Sequence, residues 1–217
     1  MERTVRITGK GKIAVTLNRA IFSLNQSQVK NSYGEANDEV LMAKKELADC
    51  LRSAGIDKKD LKTERFTIEG EYTSYKKNDE WERELVGYRY NHQMKLKLDL
   101  DHEMVSKFLG VISDMKYMPE FEMSYSLKNP EEAKNKLIKE TVKDSKKKEL
   151  CLTVSLNVTL GEVLSIDYFW AHVEIISRPY SVLECDSMMS TGPATRILTD
   201  PDDIELEDSV TVIWVIK

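Results

Sequence analysis

The sequence predicts an α+β fold: mixed, mainly antiparallel sheets with about three helices packed on one side of them. Two patterns point there. Three segments repeat apolar residues at the helical period of about 3.6, and several others alternate every second residue as half-buried strands do. They follow one another as ββα-ββαβα-ββ, an order in which neighbouring strands are joined closely enough to pair antiparallel. At 217 residues the chain suits one unit with a shared core. We expect two intertwined halves, roughly 1–62 with 158–217, and a plait-like 63–157.

From the N-terminus, Val5, Ile7, Ile13 and Val15 mark a strand interrupted by Gly9 and Gly11, and a second strand runs from Ala20 to about Val29. Glycine inside a strand signals a bulge or a close backbone approach, and a bulge is the reading expected here. A helix over 33–54 follows, with Ser32 and Glu35 as a capping box, a stripe of Ala36, Val40, Ala43, Leu47, Leu51 and Ala54, and Gly55 as its left-handed end. Phe66, Ile68 and Tyr72 mark a strand, 76–82 its hairpin turn, and Val86–Leu100 a long partner alternating through Tyr88, Tyr90, His92, Met94, Leu96 and Leu98. The next helix spans 101–115 on Met104, Val105, Phe108, Leu109, Ile112 and Met115, and Phe121–Leu127 forms a strand. Asn129-Pro130-Glu131-Glu132 then caps a helix to about Cys151, with Ala133, Leu137, Ile138, Val142 and Ser145 inward. Strands at 162–169 and 209–216 close the chain. Between them, 170–208 is a long connection from which Val173 to Ile176 could pair as a strand.

Charge narrows the function classes. Lys plus Arg is 32 against 37 Asp plus Glu, a net charge of −5, with a pI near 5.4. That balance argues against a nucleic-acid groove or an anionic membrane surface as partner. No apolar run reaches the roughly 20 residues that span a bilayer, so no membrane insertion is expected. Met1–Arg6 shows no long apolar segment of a signal peptide, which makes the cytoplasm the expected location. Cys50, Cys151 and Cys185 are odd in number and widely spaced, neither a disulfide framework nor a zinc site. Cys50 reads as a small buried hydrophobe, and Cys185 is a candidate redox thiol.

Candidate sites are sparse. His92, in line with Tyr90 and Met94, reads first as a core histidine and second as part of a pocket with Tyr88 and Tyr90. Neither His102 nor His172 joins it in a metal-binding spacing, so no metal or other cofactor is expected. Gly9-Lys10-Gly11-Lys12 lacks the phosphate-loop spacing and precedes a strand. Lys143, Lys146, Lys147 and Lys148 form a solvated helix face. The acidic run of Asp200, Asp202, Asp203, Glu205, Glu207 and Asp208 lacks the glycine of a calcium loop and reads as an exposed linker or interaction arm. No nucleophile, base and orienter stand together, which argues against an enzyme.

Four passages carry a family resemblance: Val5–Val15 with its GxG; Ala54-Gly55-Ile56 with Asp60–Thr63 and Tyr72; Gly87-Tyr88-Arg89; and Phe121–Ile166 with Asn129–Ala133 and Leu160–Val163. Together with Ser209–Val212 they resemble the SIMPL-domain family, which includes YggE-like bacterial proteins, a periplasmic antigen and an animal signalling adaptor. The resemblance implies an α+β fold, large ring-like homo-oligomers, and roles in stress tolerance or signalling, with no catalytic residues to carry over. The chain departs from relatives in its lysine-rich last helix. The expected function is a non-enzymatic, self-associating scaffold. The alternatives are a small-molecule or enzymatic pocket near Tyr88, Tyr90 and His92, and an adaptor recruiting a partner through 200–208.

Overall fold

The computed structural model describes residues 3–77, 79–168, 175–177, 180–181 and 201–217. They form two compact units, the first from 1–17, 127–176 and 201–217, the second from 18–126 and 177–200. These boundaries differ from the expected 1–62 with 158–217 and 63–157. The reason is pairing: the second strand belongs to the sheet of the long hairpin, whereas the long third helix belongs with the terminal strands.

The first unit contains β1 (Thr4–Val15), α3 (Pro130–Leu156), β6 (Leu160–Asp167) and β8 (Ile204–Ile216). Its antiparallel sheet has the order β1-β8-β6. Strand β1 pairs with β8 without a break from Thr4↔Val215 to Val15↔Ile204, so the expected bulge at Gly9 and Gly11 is absent. The glycines instead let a helix come close. A Cβ on Gly9 would lie 2.7 Å from that of Ser145, and one on Gly11 would lie 2.8 Å from the Thr141 nitrogen and 2.9 Å from the Leu137 carbonyl oxygen. The helix matches them with small side chains, since Ala133, Thr141 and Ser145 are buried beside Leu137. Thr141 keeps its buried hydroxyl satisfied by donating to the Leu137 carbonyl at 2.7 Å.

Helix α3 also protects the free edge of β1. The Lys10 backbone N–H donates to Asp144 Oδ2 at 2.7 Å, and Lys148 Nζ donates to the Thr8 carbonyl at 3.1 Å. Unpaired edge groups that would template aggregation are thereby occupied. The core of this unit is Ile7, Val210, Val212 and Trp214, with Val5, Val142, Leu160 and Tyr168 against it. Tyr168 donates to Asp208 Oδ2 at 2.8 Å, and burial, then that carboxylate, pushes its phenol up to about 12.

One cap and two boundaries differ from expectation. Asn129 makes no side-chain cap bond, Pro130 at the first position doing the terminating work, and the helix runs past Cys151 to Leu156. It ends because Asn157 takes the left-handed conformation, φ 50°. Strand β8 starts at Ile204, not 209, which takes Glu205, Glu207 and Asp208 into the sheet.

The second unit holds β2 (Arg19–Lys30), α1 (Tyr33–Ser53), β3 (Leu61–Lys77), β4 (Glu80–Asp99), α2 (His102–Ser113), β5 (Glu120–Ser126) and the two-residue β7 (Tyr180–Ser181). The sheet order is β3-β4-β2-β5-β7, all antiparallel. With α1 and α2 between strands this is the split βαββαβ plait, built from β2 to β5 and not from 63–157. Ser32 Oγ accepts from the Glu35 N–H at 3.2 Å to start α1, and Gly55 ends its connection at φ 77°. Ala36, Val40, Ala43, Leu47 and Leu51 are buried, as are Val105, Phe108 and Ile112 of α2. Phe22 of β2 meets Phe108 with ring centroids 4.6 Å apart. Burying each such side chain is worth about 1.5–3 kcal/mol. Strands β3 and β4 remain paired to Lys77↔Glu80, so the turn is much tighter than the expected 76–82.

Candidate functional site

The long hairpin of β3 and β4 carries one face through two environments. Near its base, Tyr90 and Tyr88 of β4 and Ile68 of β3 pack under Ala36 and Val40 of α1. Tyr90, 2% exposed, donates its hydroxyl to Glu39 Oε1 at 3.1 Å, and Lys30 pairs with the other Glu39 oxygen at 2.5 Å. Burial first, then the Glu39 charge, lifts the Tyr90 phenol far above its ordinary range.

His92 is also 2% exposed. Its Nε2 lies 3.1 Å from Thr63 Oγ1, and the Phe66 ring stands edge-on to it at 5.6 Å. Burial, then the positive charge of Lys44, lowers its pKa, which favours the neutral imidazole. Its Nδ1 and the Oε1 of Gln26, opposite on β2, are both buried without a hydrogen-bond partner among the described residues, while Gln26 Nε2 donates to the Tyr117 carbonyl at 2.7 Å. Tyr90 and His92 therefore lie in packed interior, with Tyr88 half-buried beside them. A base must reach the proton it takes, and this imidazole faces protein on its described sides.

Gly87-Tyr88-Arg89 acquires a physical meaning. A Cβ on Gly87 would crowd the end of β2, 3.0 Å from Val29 Cγ1 and 3.1 Å from the Lys30 carbonyl carbon. Tyr88 meets Tyr33 of α1 edge to face at 6.2 Å. Arg89 donates twice to Glu71, both at 2.9 Å, and this bidentate pair holds the Glu71 carboxyl below its usual pKa. Just beyond, the pairing register shifts by one between Glu71 and Tyr72, with Val86 as the extra residue.

Past that bulge the same face continues uncovered. The pairs Tyr72↔Leu85, Ser74↔Arg83 and Lys76↔Trp81 share one side of the ribbon, and Trp81 is 73% exposed. Arg83 stacks its guanidinium 5.0 Å over the Tyr72 ring. The opposite side pairs Thr73↔Glu84, Tyr75↔Glu82 and Lys77↔Glu80, with Tyr75 donating to Glu82 at 2.9 Å. The tip is thus aromatic and cationic on one side and acid-rich on the other. The sequence hides it because the polar run Lys76–Glu82 reads as a turn, whereas the strands stay paired to Lys77↔Glu80.

The first unit also exposes apolar side chains. Leu150 and Val154 lie on one face of α3 and Leu152 and Leu156 on another, and Val163, Leu164 and Ile166 of β6 are exposed too, Val154 at 72%. Val163 and Ile166 stand opposite Trp214 and Val212, on the helix side of the sheet.

The acidic run does not form a free arm from 204 onward. Lys12 binds Glu205 at 2.6 Å and Glu207 at 3.3 Å, and Asp208 accepts from Tyr168. Asp202 and Asp203 precede β8 as exposed coil, and Asp200 lies outside the described residues. So do Cys185, His172, Val173 and most of the 170–208 connection. Cys50 is half-buried, its thiol pushed up by burial and then by Glu46 and Asp49, and Cys151 is exposed. Among the described residues, no three His, Cys, Asp or Glu side chains are grouped to hold a metal ion. No helix there is long and apolar enough to cross a membrane.

Fold and surfaces define an α+β protein with a plait unit, a helix-covered three-stranded unit and an uncovered aromatic hairpin tip. The chain belongs to the SIMPL family, described as a protein of unknown function (DUF541), whose model matches residues 5–214. No curated protein matches it.

Proposed function

We propose that this protein acts by self-association, as a non-enzymatic scaffold of the kind the SIMPL resemblance implies for stress tolerance or signalling. The observation that carries the reading is the hairpin beyond Gly87. Tyr72, Tyr75, Trp81, Leu85 and Val86 are exposed there on a two-stranded ribbon. An isolated two-stranded ribbon is marginal in water, and clustered exposed apolar residues mark interaction surfaces. A folded body has no need of such an extension, whereas a second protein surface would use both its area and its pairing.

The test is absolute mass by light scattering on a size-exclusion column over a concentration range. A discrete multiple of 25.0 kDa that persists on dilution is expected. A mass of 25.0 kDa at every concentration would overturn the reading.

A further inference from the structure

We infer that strand β3 pairs edge to edge with the β3 of a second copy, antiparallel about a two-fold axis through Thr67. The inference rests on the self-association reading and assigns its contact to a sheet edge. An uncovered edge strand offers a row of free backbone N–H and C=O groups, which folded proteins ordinarily protect. Three of the four sheet ends are protected here. Asp144 and Lys148 of α3 occupy backbone groups of β1. Beyond β5 the plait sheet tapers to the two residues of β7, and Ser177 bonds the Tyr125 backbone at 2.8 and 2.9 Å. Strand β6 slips register on both sides of Val163, which twists that edge out of straight pairing. The fourth end is β3, 17 residues long and in unbroken register with β4 from Arg65 to Glu71. Among the described residues, no hydrogen bond from outside the β3–β4 pair reaches the backbone of Arg65 to Glu69.

The occupant follows from charge. Glu64 is taken by Lys95, and Glu71 by the bidentate Arg89. That leaves Arg65 and Glu69, exposed on one face of β3 two residues either side of Thr67, without an ion partner among the described residues. A two-fold axis at Thr67 sets Arg65 directly opposite Glu69 of the partner subunit, and by symmetry the reverse. Side chains so placed have Cβ atoms ~4.5–5.5 Å apart, within reach of an ion pair. On the other face the same axis sets Phe66, 44% exposed, opposite Ile68 of the partner subunit. Other registers lose this match. Centring on Arg65 or on Glu69 opposes that charge to its own copy, and centring on Phe66 or Ile68 sets Thr67 opposite a charge. Against a strand of another sequence the two charges guard the edge; against their own copy they select one register. The contact is isologous, each β3 using the same residues, and it joins the two plait sheets through backbone hydrogen bonds.

The experiment is a charge swap in the full-length chain, read by light scattering on a size-exclusion column. Arg65→Glu sets two acids together at each half of the contact, and Glu69→Arg sets two arginines together. Both positions are exposed, so each variant is expected to keep the parental circular dichroism while its mass falls below the parental one. The double variant, Arg65→Glu with Glu69→Arg, restores opposite charges and should regain the parental mass. A one-to-one mixture of the two single variants should regain it as well, because each then meets its complement. A second readout is Thr67→Cys in a chain with Cys50, Cys151 and Cys185 changed to Ala. A short thiol-reactive cross-linker should join two such chains, and the same change at Thr73 should give no link. If the parent is oligomeric and the single variants keep its mass, the inference is overturned while self-association stands. Single variants that fall in mass with no recovery in the double variant, or a Thr67→Cys chain that does not cross-link, overturn the register and with it the inference. A parent of 25.0 kDa at every concentration removes both readings together.

Discussion

The base and the tip of the β3–β4 hairpin present one continuous face under opposite conditions. At the base, Tyr90 and His92 are 2% exposed beneath α1 and β3 neighbours; at the tip, Trp81 is 73% exposed on the same side of the same ribbon. Helix α3 repeats the contrast along its own length. Its Leu137 to Ser145 stretch lies on β1 at glycine-permitted distance, whereas Leu152 and Leu156, seven and eleven residues past Ser145 on the same stripe, are exposed. Alternation and amphipathic spacing say which residues share a face. They do not say whether anything is placed on it. Residues with a cover hold the fold together, and residues without one are available to a partner.

The comparison breaks most sharply where cover depends on a missing side chain. Gly11→Val drives a branched side chain into the backbone of α3 at Thr141 and Leu137, atoms that cannot swing aside. A loss of about 3 kcal/mol or more in urea unfolding is expected. A loss below about 1 kcal/mol would mean that the helix does not lie so close. Next in size, Tyr90→Ala at the covered base should cost about 3–5 kcal/mol, and Trp81→Ala at the open tip should stay within about 0.5 kcal/mol of the parent. Equal losses at the two positions would erase the distinction between base and tip.

His92 sharpens the comparison through pH. Its folded-state pKa lies below the unfolded value of about 6.5, so between the two the unfolded chain binds more protons. Its contribution to stability is intact above about pH 6.5 and declines as pH falls toward the depressed folded value. Urea midpoints at several pH values should therefore fall on the acid side, and His92→Gln should flatten that part of the profile. An identical profile in the variant would assign the acid loss elsewhere. The smallest effect is a gain: Gly110 within α2 has open space where a Cβ would go, so Gly110→Ala should stabilise by about 0.5–1 kcal/mol. A loss there would show that the space is needed.

Much of the secondary structure was legible because its signals are local. The α1 stripe, Ser32, Gly55 and the α2 stripe appear where their spacing put them. The α3 end was not, since Asn157 reads as an ordinary polar residue until its left-handed backbone is seen. Consecutive charges at 204–208 suggest a solvated arm, yet an open sheet face tolerates them and Lys12 pairs with two. Cover also separates the pocket candidates from the tip. Tyr88, Tyr90 and His92 resemble the uncovered Tyr72 and Trp81 in composition, and only the path of α1 separates them.

By itself the sequence determined the α+β class, the three helices, the faces of the long strands and membership of the SIMPL resemblance, because periodicity, caps and motif order act over a few residues at a time. The tertiary structure alone decided that Gly9 and Gly11 admit a helix instead of a bulge. It alone placed α3 with the terminal strands and left the hairpin tip open. Those outcomes depend on which surface arrives above a given face, and that is fixed by contacts between residues more than a hundred positions apart, such as Lys10 with Asp144.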